Sequence, residues 1–422
     1  MTDTIYALSS GAPPAAIGVI RISGRTAREA LGRLCSKLPA PRSPSLRTLR
    51  DASGQPLDSA LVLWFEGPTT ATGEDLAELH CHGGRAVIAA VLAELATFEG
   101  LREAEPGEFT RRAFSNGRID LAEAEGLADL LSAETEFQRR GAMRAAGGEL
   151  SGRIEEWRDR LLGFAAAIEA VIDFADEDDV ASLPSDFSAK LAALSGEIRS
   201  VAERPATERL RDGIRVVIAG PPNAGKSSLF NVLLSDDAAI VTSEAGTTRD
   251  VLERSVAIGG IPFVLVDTAG IRESGAGKIE GMGIERARQA IEGGQIVLWL
   301  GDAEEAPEGA IVVHSKSDLG PRTGRGLEVS SVTGEGIDPL IAELVERGRA
   351  ALPPIDSVAF NRRQREWALV AADEIDGVEV EGDLLVAAER LRSARRALDR
   401  LVGRDSTEEM LDALFGRFCI GK

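Results

Sequence analysis

Gly220-Pro-Pro-Asn-Ala-Gly-Lys-Ser227 has the form G-x-x-x-x-G-K-S, the glycine-rich loop that cradles nucleotide phosphates. Gly220 and Gly225 let the backbone bend so that successive N–H groups converge on an anion. Lys226 supplies a point charge to the β- and γ-phosphates, and the Ser227 hydroxyl is placed to ligate Mg²⁺. The flanks agree with this reading. Ile214-Arg-Val-Val-Ile-Ala219 reads as a buried strand, and Ser228-Leu-Phe-Asn-Val-Leu-Leu234 continues as a helix. The stretch therefore predicts a nucleoside triphosphate site at a strand-to-helix turn of an α/β unit.

Working outward, the chain of 422 residues is long enough for roughly three domains. A hydrophobic content of 44% argues against disorder. Residues 1–117 alternate short β-rich runs, such as Ile17–Ile22 and Ala60–Phe65, with Gly and Pro breaks and a helical stretch near Ala86–Phe98. That pattern predicts an α+β domain. Residues 118–210 turn to Ala, Leu, Glu and Arg with few breakers, the composition of long amphipathic helices. Residues 211–350 alternate strands and helices, with apolar runs at Phe263–Val266, Ile296–Leu300 and Ala310–Val313, a parallel doubly wound pattern. After Pro353-Pro354 the helical composition resumes through residues 351–422. The expected fold class is multi-domain: an α+β N-terminal domain and a helical-bundle domain whose two halves flank an inserted P-loop (Ras-like) domain.

Three cysteines, Cys35, Cys81 and Cys419, are too few and scattered for a disulfide framework or a zinc site. The N-terminus lacks the basic segment of a signal peptide, and no apolar run approaches a membrane span. We expect a soluble, cytoplasmic protein. The net charge of -20 counts against broad, nonspecific nucleic-acid binding but leaves room for a local basic surface.

Further motifs follow the phosphate loop in order. Asp267-Thr-Ala-Gly270 ends a strand, where Asp267 can reach Mg²⁺ through water and the Gly270 N–H can meet the γ-phosphate. Between them Gly246-Thr-Thr-Arg-Asp250 offers Thr248 as a second Mg²⁺ hydroxyl. Ser315-Lys-Ser-Asp318 follows the strand at 310–313, where GTPases carry Asn-Lys-x-Asp and the last Asp accepts from the guanine N1 and N2 hydrogens. Ser330-Ser-Val332 would touch the base as well. Together the motifs predict a GTPase, with an ATPase of related fold as the rival. Ile271 stands where Ras-like proteins place the Gln that orients the attacking water, so another polar group must do so. The Asn223 amide oxygen could coordinate a monovalent cation beside the phosphates.

The phosphate loop with Gly246-Thr-Thr-Arg-Asp250 resembles the potassium-activated, dimerisation-dependent GTPases. The segments Ile17–Gly24, Thr72–Leu79, Pro106–Arg112 and Phe418-Cys-Ile-Gly-Lys422 resemble the MnmE (TrmE) family of tRNA-modification GTPases, from end to end. The resemblance implies GTP contacts at Asn223, Ala224, Gly225, Lys226, Ser227 and Ser228. It extends them to Thr242, Ser243, Glu244, Ala245, Gly246, Thr247 and Thr248, to Asp267, Thr268, Ala269 and Gly270, and to Ser315, Lys316, Ser317, Asp318, Ser330, Ser331 and Val332. Mg²⁺ falls to Ser227 and Thr248. K⁺ falls to Asn223, Thr242, Glu244 and Thr247, and the catalytic role to Glu280, aligned through Gly283-Ile-Glu-Arg-Ala287, with Glu285 the lesser candidate.

A formyl-tetrahydrofolate, the one-carbon donor, is implied at Arg21, Glu78, Arg118 (Lys in the family pattern) and Lys422. The implied assembly is a homodimer acting with the FAD-dependent partner MnmG (GidA) on C5 of the tRNA wobble uridine, installing a carboxymethylaminomethyl-type group. Ser315 in place of Asn is the main departure, and it leaves guanine selection to Asp318. Glu244 and Val332 depart more mildly.

Several readings stay open. In His80-Cys81-His82 neighbouring side chains on a strand point to opposite faces, which disfavours a metal site. Cys419-Ile-Gly-Lys422 lacks the aliphatic pattern of a prenylation box. Cys419 reads equally as a packed thiol or a nucleophile. Arg390, Arg392, Arg395, Arg396, Arg400 and Arg404 could contact tRNA or pair with Glu389, Asp399 and Asp405 along the helix. The functional rival is a regulatory switch GTPase, for example in ribosome assembly, without one-carbon chemistry.

Overall fold

Ile20 and Ile22 are fully buried while Arg21 between them is half exposed, the alternation of a strand with one face on a core. A computed structural model describes residues 3–173, 182–235, 239–241, 252–268, 293–320, 324–354, 358–404 and 407–422. Two compact units emerge, Met1–Ala128 with Val402–Lys422, and Asp129–Leu401.

The first unit runs β1 (Thr4–Leu8), β2 (Ile17–Ser23), α1 (Ala27–Leu34), β3 (Ser45–Arg50), β4 (Pro56–Phe65), β5 (Leu76–His82), α2 (Arg85–Ala96), β6 (Leu101–Glu103), α3 (Glu108–Ser115) and the start of α4 (Leu121–Ser132). The strands form one sheet in the order β3-β4-β5-β2-β1-β6. All neighbours are antiparallel except β1 and β6. One face buries Ile20, Ile22, Val62, Trp64 and Leu79 under α1 and α2 through Leu31, Leu34, Ile88, Val91 and Leu95. On β1 the alternation sends Ile5 and Ala7 to the other face, where they meet Phe109 of α3.

The second unit runs α5 (Glu136–Ala146), α6 (Glu149–Asp173), α7 (Phe187–Ala202), α8 (Glu208–Asp212), β7 (Ile214–Ala219), α9 (Lys226–Ser235), β8 (Ala239–Val241), β9 (Leu252–Ile258), β10 (Ile261–Asp267), β11 (Ile296–Trp299), β12 (Ile311–Ser315), β13 (Leu327–Val329), α10 (Ile337–Ala351), α11 (Arg362–Asp376) and α12 (Leu384–Leu401). Its sheet has the order β13-β12-β11-β7-β10-β9-β8. The five strands from β13 to β10 are parallel, and the β8–β9–β10 edge is antiparallel. Near-continuous apolar runs such as Val216-Val217-Ile218 suit strands covered on both faces. Leu229, Phe230 and Leu233 of α9 and Leu340 and Leu344 of α10 join that core.

The remaining long helices form a bundle in which α12 packs on α6 and α11, and α11 on α7. Ala368, Ala371 and Ala372 on α11 and Ala387, Ala388, Ala394 and Ala397 on α12 are buried. Their helical spacing puts small side chains on one stripe, which lets two helices approach closely. α6 and α7 precede the nucleotide-type sheet in the chain, and α11 and α12 follow it. The bundle is thus built from two separated stretches, and the P-loop fold lies between them in sequence. Capping boxes start two of these helices, Thr135 with Gln138 for α5 and Asn361 with Gln364 for α11.

The chain leaves the helical stretch at Gly403, whose φ of +79° is left-handed and whose position would drive a Cβ to 2.5 Å from Leu121. It then enters α13 (Glu408–Phe415), which belongs to the first unit. There Leu411, Phe415 and Phe418 pack against Leu121 and Ala124.

Candidate functional site

Because β7 and β10 are adjacent and parallel, Asp267 at the end of β10 lies opposite Ile218 at the end of β7. The phosphate loop leaves β7 at that point, and α9 begins at Lys226. Gly220 has φ +144°, and a Cβ there would sit 2.5 Å from the Leu300 carbonyl oxygen, so only glycine fits. Asn223 takes a left-handed φ of +61°, which short amide side chains tolerate. Lys226, 7% exposed, donates from Nζ to the carbonyls of Gly220 at 3.1 Å and Pro221 at 2.8 Å. The Ser227 hydroxyl donates to Asp267 Oδ2 at 2.7 Å, and Asp267 is fully buried. Thr268 fixes the strand pair rather than facing outward: its hydroxyl donates to the Ile218 carbonyl at 2.8 Å.

The segments after β12 and β13 add further side chains. Ser315, 7% exposed, donates its hydroxyl proton to the Ala224 carbonyl of the phosphate loop at 2.5 Å. Lys316, in a left-handed conformation, donates Nζ to the Asn223 carbonyl at 2.8 Å. Two side chains of the 315–318 segment therefore brace the loop. The Asp318 carboxylate accepts from the Ser330 hydroxyl at 2.7 Å, and Ser330 Oγ in turn accepts from the N–H groups of Val332 and Thr333. That chain of bonds sets the carboxylate's orientation. Ser228 and Val332 are exposed, and Ala224, Gly225 and Ser331 are half-buried.

The described residues thus bring together Asn223–Ser227, Asp267, Ser315–Asp318 and Ser330. Thr242, Ser243, Glu244, Ala245, Gly246, Thr247, Thr248, Ala269, Gly270, Ile271, Glu280 and Glu285 lie outside them. Of the K⁺ set only Asn223 is described, and of the Mg²⁺ set only Ser227. A hydroxyl and a buried carboxylate at contact distance are hard oxygen donors, which suit Mg²⁺.

The first unit holds a second polar site. Arg21 and Glu78 are direct cross-strand partners, and Arg21 Nε donates to Glu78 Oε1 at 2.8 Å. His80, two residues along the same face, has Nε2 3.4 Å from Glu78 Oε2, a neighbour the sequence reading did not assign to this site. The i, i+2 spacing on a strand was the available signal. Arg118 donates Nε to the Thr70 carbonyl at 3.1 Å. Lys422 is tied by its backbone: its carbonyl accepts from the Phe109 N–H at 3.2 Å, while Pro106 bridges Ile420 and the Gly107 N–H reaches the Cys419 carbonyl. Arg21 and Glu78 are therefore joined directly, whereas Arg118 and Lys422 are anchored to neighbouring backbone.

Apart from Glu78, the family-like segments Pro106–Arg112 and Thr72–Leu79 carry no role in the sequence analysis. They form one polar network with a buried centre at Arg112 and Glu108 and partly exposed outer members. Arg112, 1% exposed, donates to Glu108, Glu74 and the Asp3 carbonyl. Arg102 pairs with Glu108 and Asp3, and Ser23 binds Thr72 and Glu74. Burial alone would raise the Glu108 carboxyl, but hydrogen bonds from Arg102, the Glu105 N–H and Arg112 outweigh it and hold the pKa below its ordinary value. The Arg102 hydrogen bond likewise lowers Asp3.

Local geometry bears on the open readings. Cys81 is buried, while His80 and His82 take the other face, with His82 Nδ1 2.7 Å from Asp58. Burial pushes the Cys35 and Cys81 thiols up to about 11 and about 12, which keeps them protonated and unreactive. Cys419 is exposed. On α12, Arg390 pairs with Glu374, Arg392 with Glu389 and Glu169, and Arg396 with Glu389. Arg400 stacks on Trp367 at 4.4 Å. Much of that basic stripe is committed to protein partners.

No helix among the described residues is long and apolar enough to cross a membrane. Residues 121–419 match the family model described as the MnmE helical domain, and residues 4–118 match that of the GTP-binding protein TrmE N-terminus. The tRNA modification GTPase MnmE of Erythrobacter litoralis is 58% identical over 423 residues, covering 100% of both chains. That of Novosphingobium aromaticivorans is 53% identical over 438 residues, again covering 100% of both. Among solved structures, the G domain of the T. maritima FeoB iron transporter is 24% identical over 32% of this chain and 98% of its own, with a TM-score of 0.24.

Proposed function

The chain belongs to the MnmE (TrmE) family of tRNA modification GTPases, and from that premise we propose that its GTP hydrolysis drives formation of a carboxymethylaminomethyl-type group on C5 of the wobble uridine. It is a GTP hydrolase of that family. The finer reading takes a formyl-tetrahydrofolate as one-carbon donor and K⁺ as activator. It also has a homodimer working in the cytoplasm with the FAD-dependent partner MnmG (GidA). The domain limits 1–117, 118–210, 211–350 and 351–422 serve this reading as folate-binding, helical, GTPase and second helical segments.

Hydrolysis proceeds by in-line attack of water on the γ-phosphate. Lys226 neutralises charge on the β- and γ-oxygens, and its present carbonyl partners keep the ammonium at the loop. Ser227 and Thr248, with Asp267 through water, would hold Mg²⁺, which supplies further positive charge there. Asn223, Thr242, Glu244 and Thr247 would hold K⁺, taking the place of an arginine finger. Glu280 would keep the water network in line, since Ile271 has no polar group to do so.

The observation that best supports the modification half of the reading is the Arg21–Glu78 pair on β2 and β5. A cation beside a carboxylate suits a folate, whose glutamate carboxylates need a cation and whose pterin N–H edge needs an acceptor. Saturable binding of 5-formyl-tetrahydrofolate by the purified protein is therefore expected, with Arg21→Ala weakening it about tenfold or more. No saturable binding, or an unaffected Arg21→Ala variant, would favour the regulatory-switch alternative.

A further inference from the structure

We infer that this protein recognises guanine without a hydrogen bond to N7, because Ser315 is committed to the phosphate loop. The inference rests on the guanine-site reading above and refines it.

A serine hydroxyl carries a single proton. At Ser315 that proton goes to the Ala224 carbonyl at 2.5 Å, and a carbonyl can only accept. What Ser315 has left is lone pairs, while guanine N7 is itself an acceptor. Two acceptors cannot pair. An amide side chain at this position would carry two N–H donors, enough to serve the loop and the base together.

The neighbouring donors do not replace it. Lys316 Nζ is turned to the Asn223 carbonyl at 2.8 Å. The Ser317 hydroxyl is enclosed, without solvent access, so an incoming base does not reach it. Ser330 donates to Asp318 at 2.7 Å. Asp318, by contrast, keeps acceptor capacity, since a carboxylate has about four lone-pair sites and the Ser330 bond uses one of them. The side chains of the base end therefore act mainly as an acceptor set. They select the N1–H and C2-amino donors of the Watson–Crick edge and leave the N7 edge unread.

Ser315 is in this sense a positioning residue for the loop, and its identity fixes which edge of the base is sensed. Gly225 leaves space beside it: a Cβ built on Gly225 would stand 3.6 Å from the Ser315 side chain.

The test is equilibrium binding of GDP, 7-deaza-GDP, inosine diphosphate and ADP to the full-length chain in Mg²⁺ buffer. The wild type should bind GDP and 7-deaza-GDP within about twofold of each other, while inosine diphosphate, lacking the C2 amino donor, should bind about tenfold more weakly. Ser315→Ala should weaken GDP and 7-deaza-GDP equally, since it removes only the loop brace. Ser315→Asn should tighten GDP over 7-deaza-GDP by about tenfold. A wild-type preference of tenfold or more for GDP over 7-deaza-GDP would overturn the inference. So would a Ser315→Ala defect confined to GDP. If ADP binds as well as GDP, the guanine-site reading itself fails, a result distinct from either.

Discussion

At Asp318 the decisive chemistry is acceptor geometry: Ser330 holds the carboxylate at 2.7 Å, and the guanine proposed for this site would have to offer it donors. Asp318→Asn replaces an acceptor oxygen by an N–H donor, so it should lose about 2 kcal/mol or more for GTP. It should gain relative affinity for xanthosine triphosphate, which presents a carbonyl at C2. Competition between the two nucleotides measures this directly. For the cation, exchanging Na⁺ for K⁺ should raise the GTPase rate, and Asn223→Ala should erase the difference. A rate indifferent to the cation in the wild type removes the K⁺ assignment. Glu280→Ala should bind GTP normally yet turn over about 100-fold more slowly, and near-normal turnover would move the role to Glu285 or elsewhere. The convergence of Lys226, Ser227 and Asp267 was legible because a glycine-rich loop and a strand end fix their placement locally. The Ser315–Ala224 bond was not legible, because its two residues come from different strand ends and meet only once β7 and β12 lie in one sheet.

Among the elements, α3 depends most on buried polar chemistry. Glu108 has its pKa held below 4.5 in the folded chain. The stability this contributes is present above the unfolded value and is lost as pH falls through the folded one. Acid should therefore destabilise the first unit as pH falls below the ordinary glutamate range, and Glu108→Gln should flatten that part of the thermal-stability profile. Arg112→Ala removes one of the two guanidiniums on Glu108 and the cation beside Glu74, and should cost about 1–3 kcal/mol by denaturant titration. Gly107 has φ +70°, and a Cβ there would stand 2.2 Å from the Phe415 carbonyl oxygen, so Gly107→Ala should also destabilise α3. The sequence displays the i, i+4 spacing of Glu108 and Arg112. It hides their other partners, since Asp3 and Glu74 are brought there by β1 and by the turn before β5.

For the molecule as a whole, the chain twice returns to an element it had left. α6 and α7 find α11 and α12 after the nucleotide fold has intervened, and Val402–Lys422 rejoin Met1–Ala128. The first return was readable from composition, because breaker-poor Ala, Leu and Arg stretches flank the strand-rich segment. The second was not, because Gly403 and the helix cap at Thr407 mark a break in the helical composition without showing which elements Glu408–Phe415 rejoins. Deleting Cys419–Lys422 removes the strand-like bridge to Pro106 and the Lys422 carbonyl on Phe109. It should abolish the proposed folate binding and lower the thermal midpoint of the first unit, while GTP binding in the second persists. The account's central claim is that GTP hydrolysis here serves the wobble uridine, and nucleoside analysis of tRNA from cells lacking this protein tests it most directly. The C5 modification should vanish, return with the wild-type chain and stay absent with Lys226→Ala. An unchanged nucleoside profile would contradict the account.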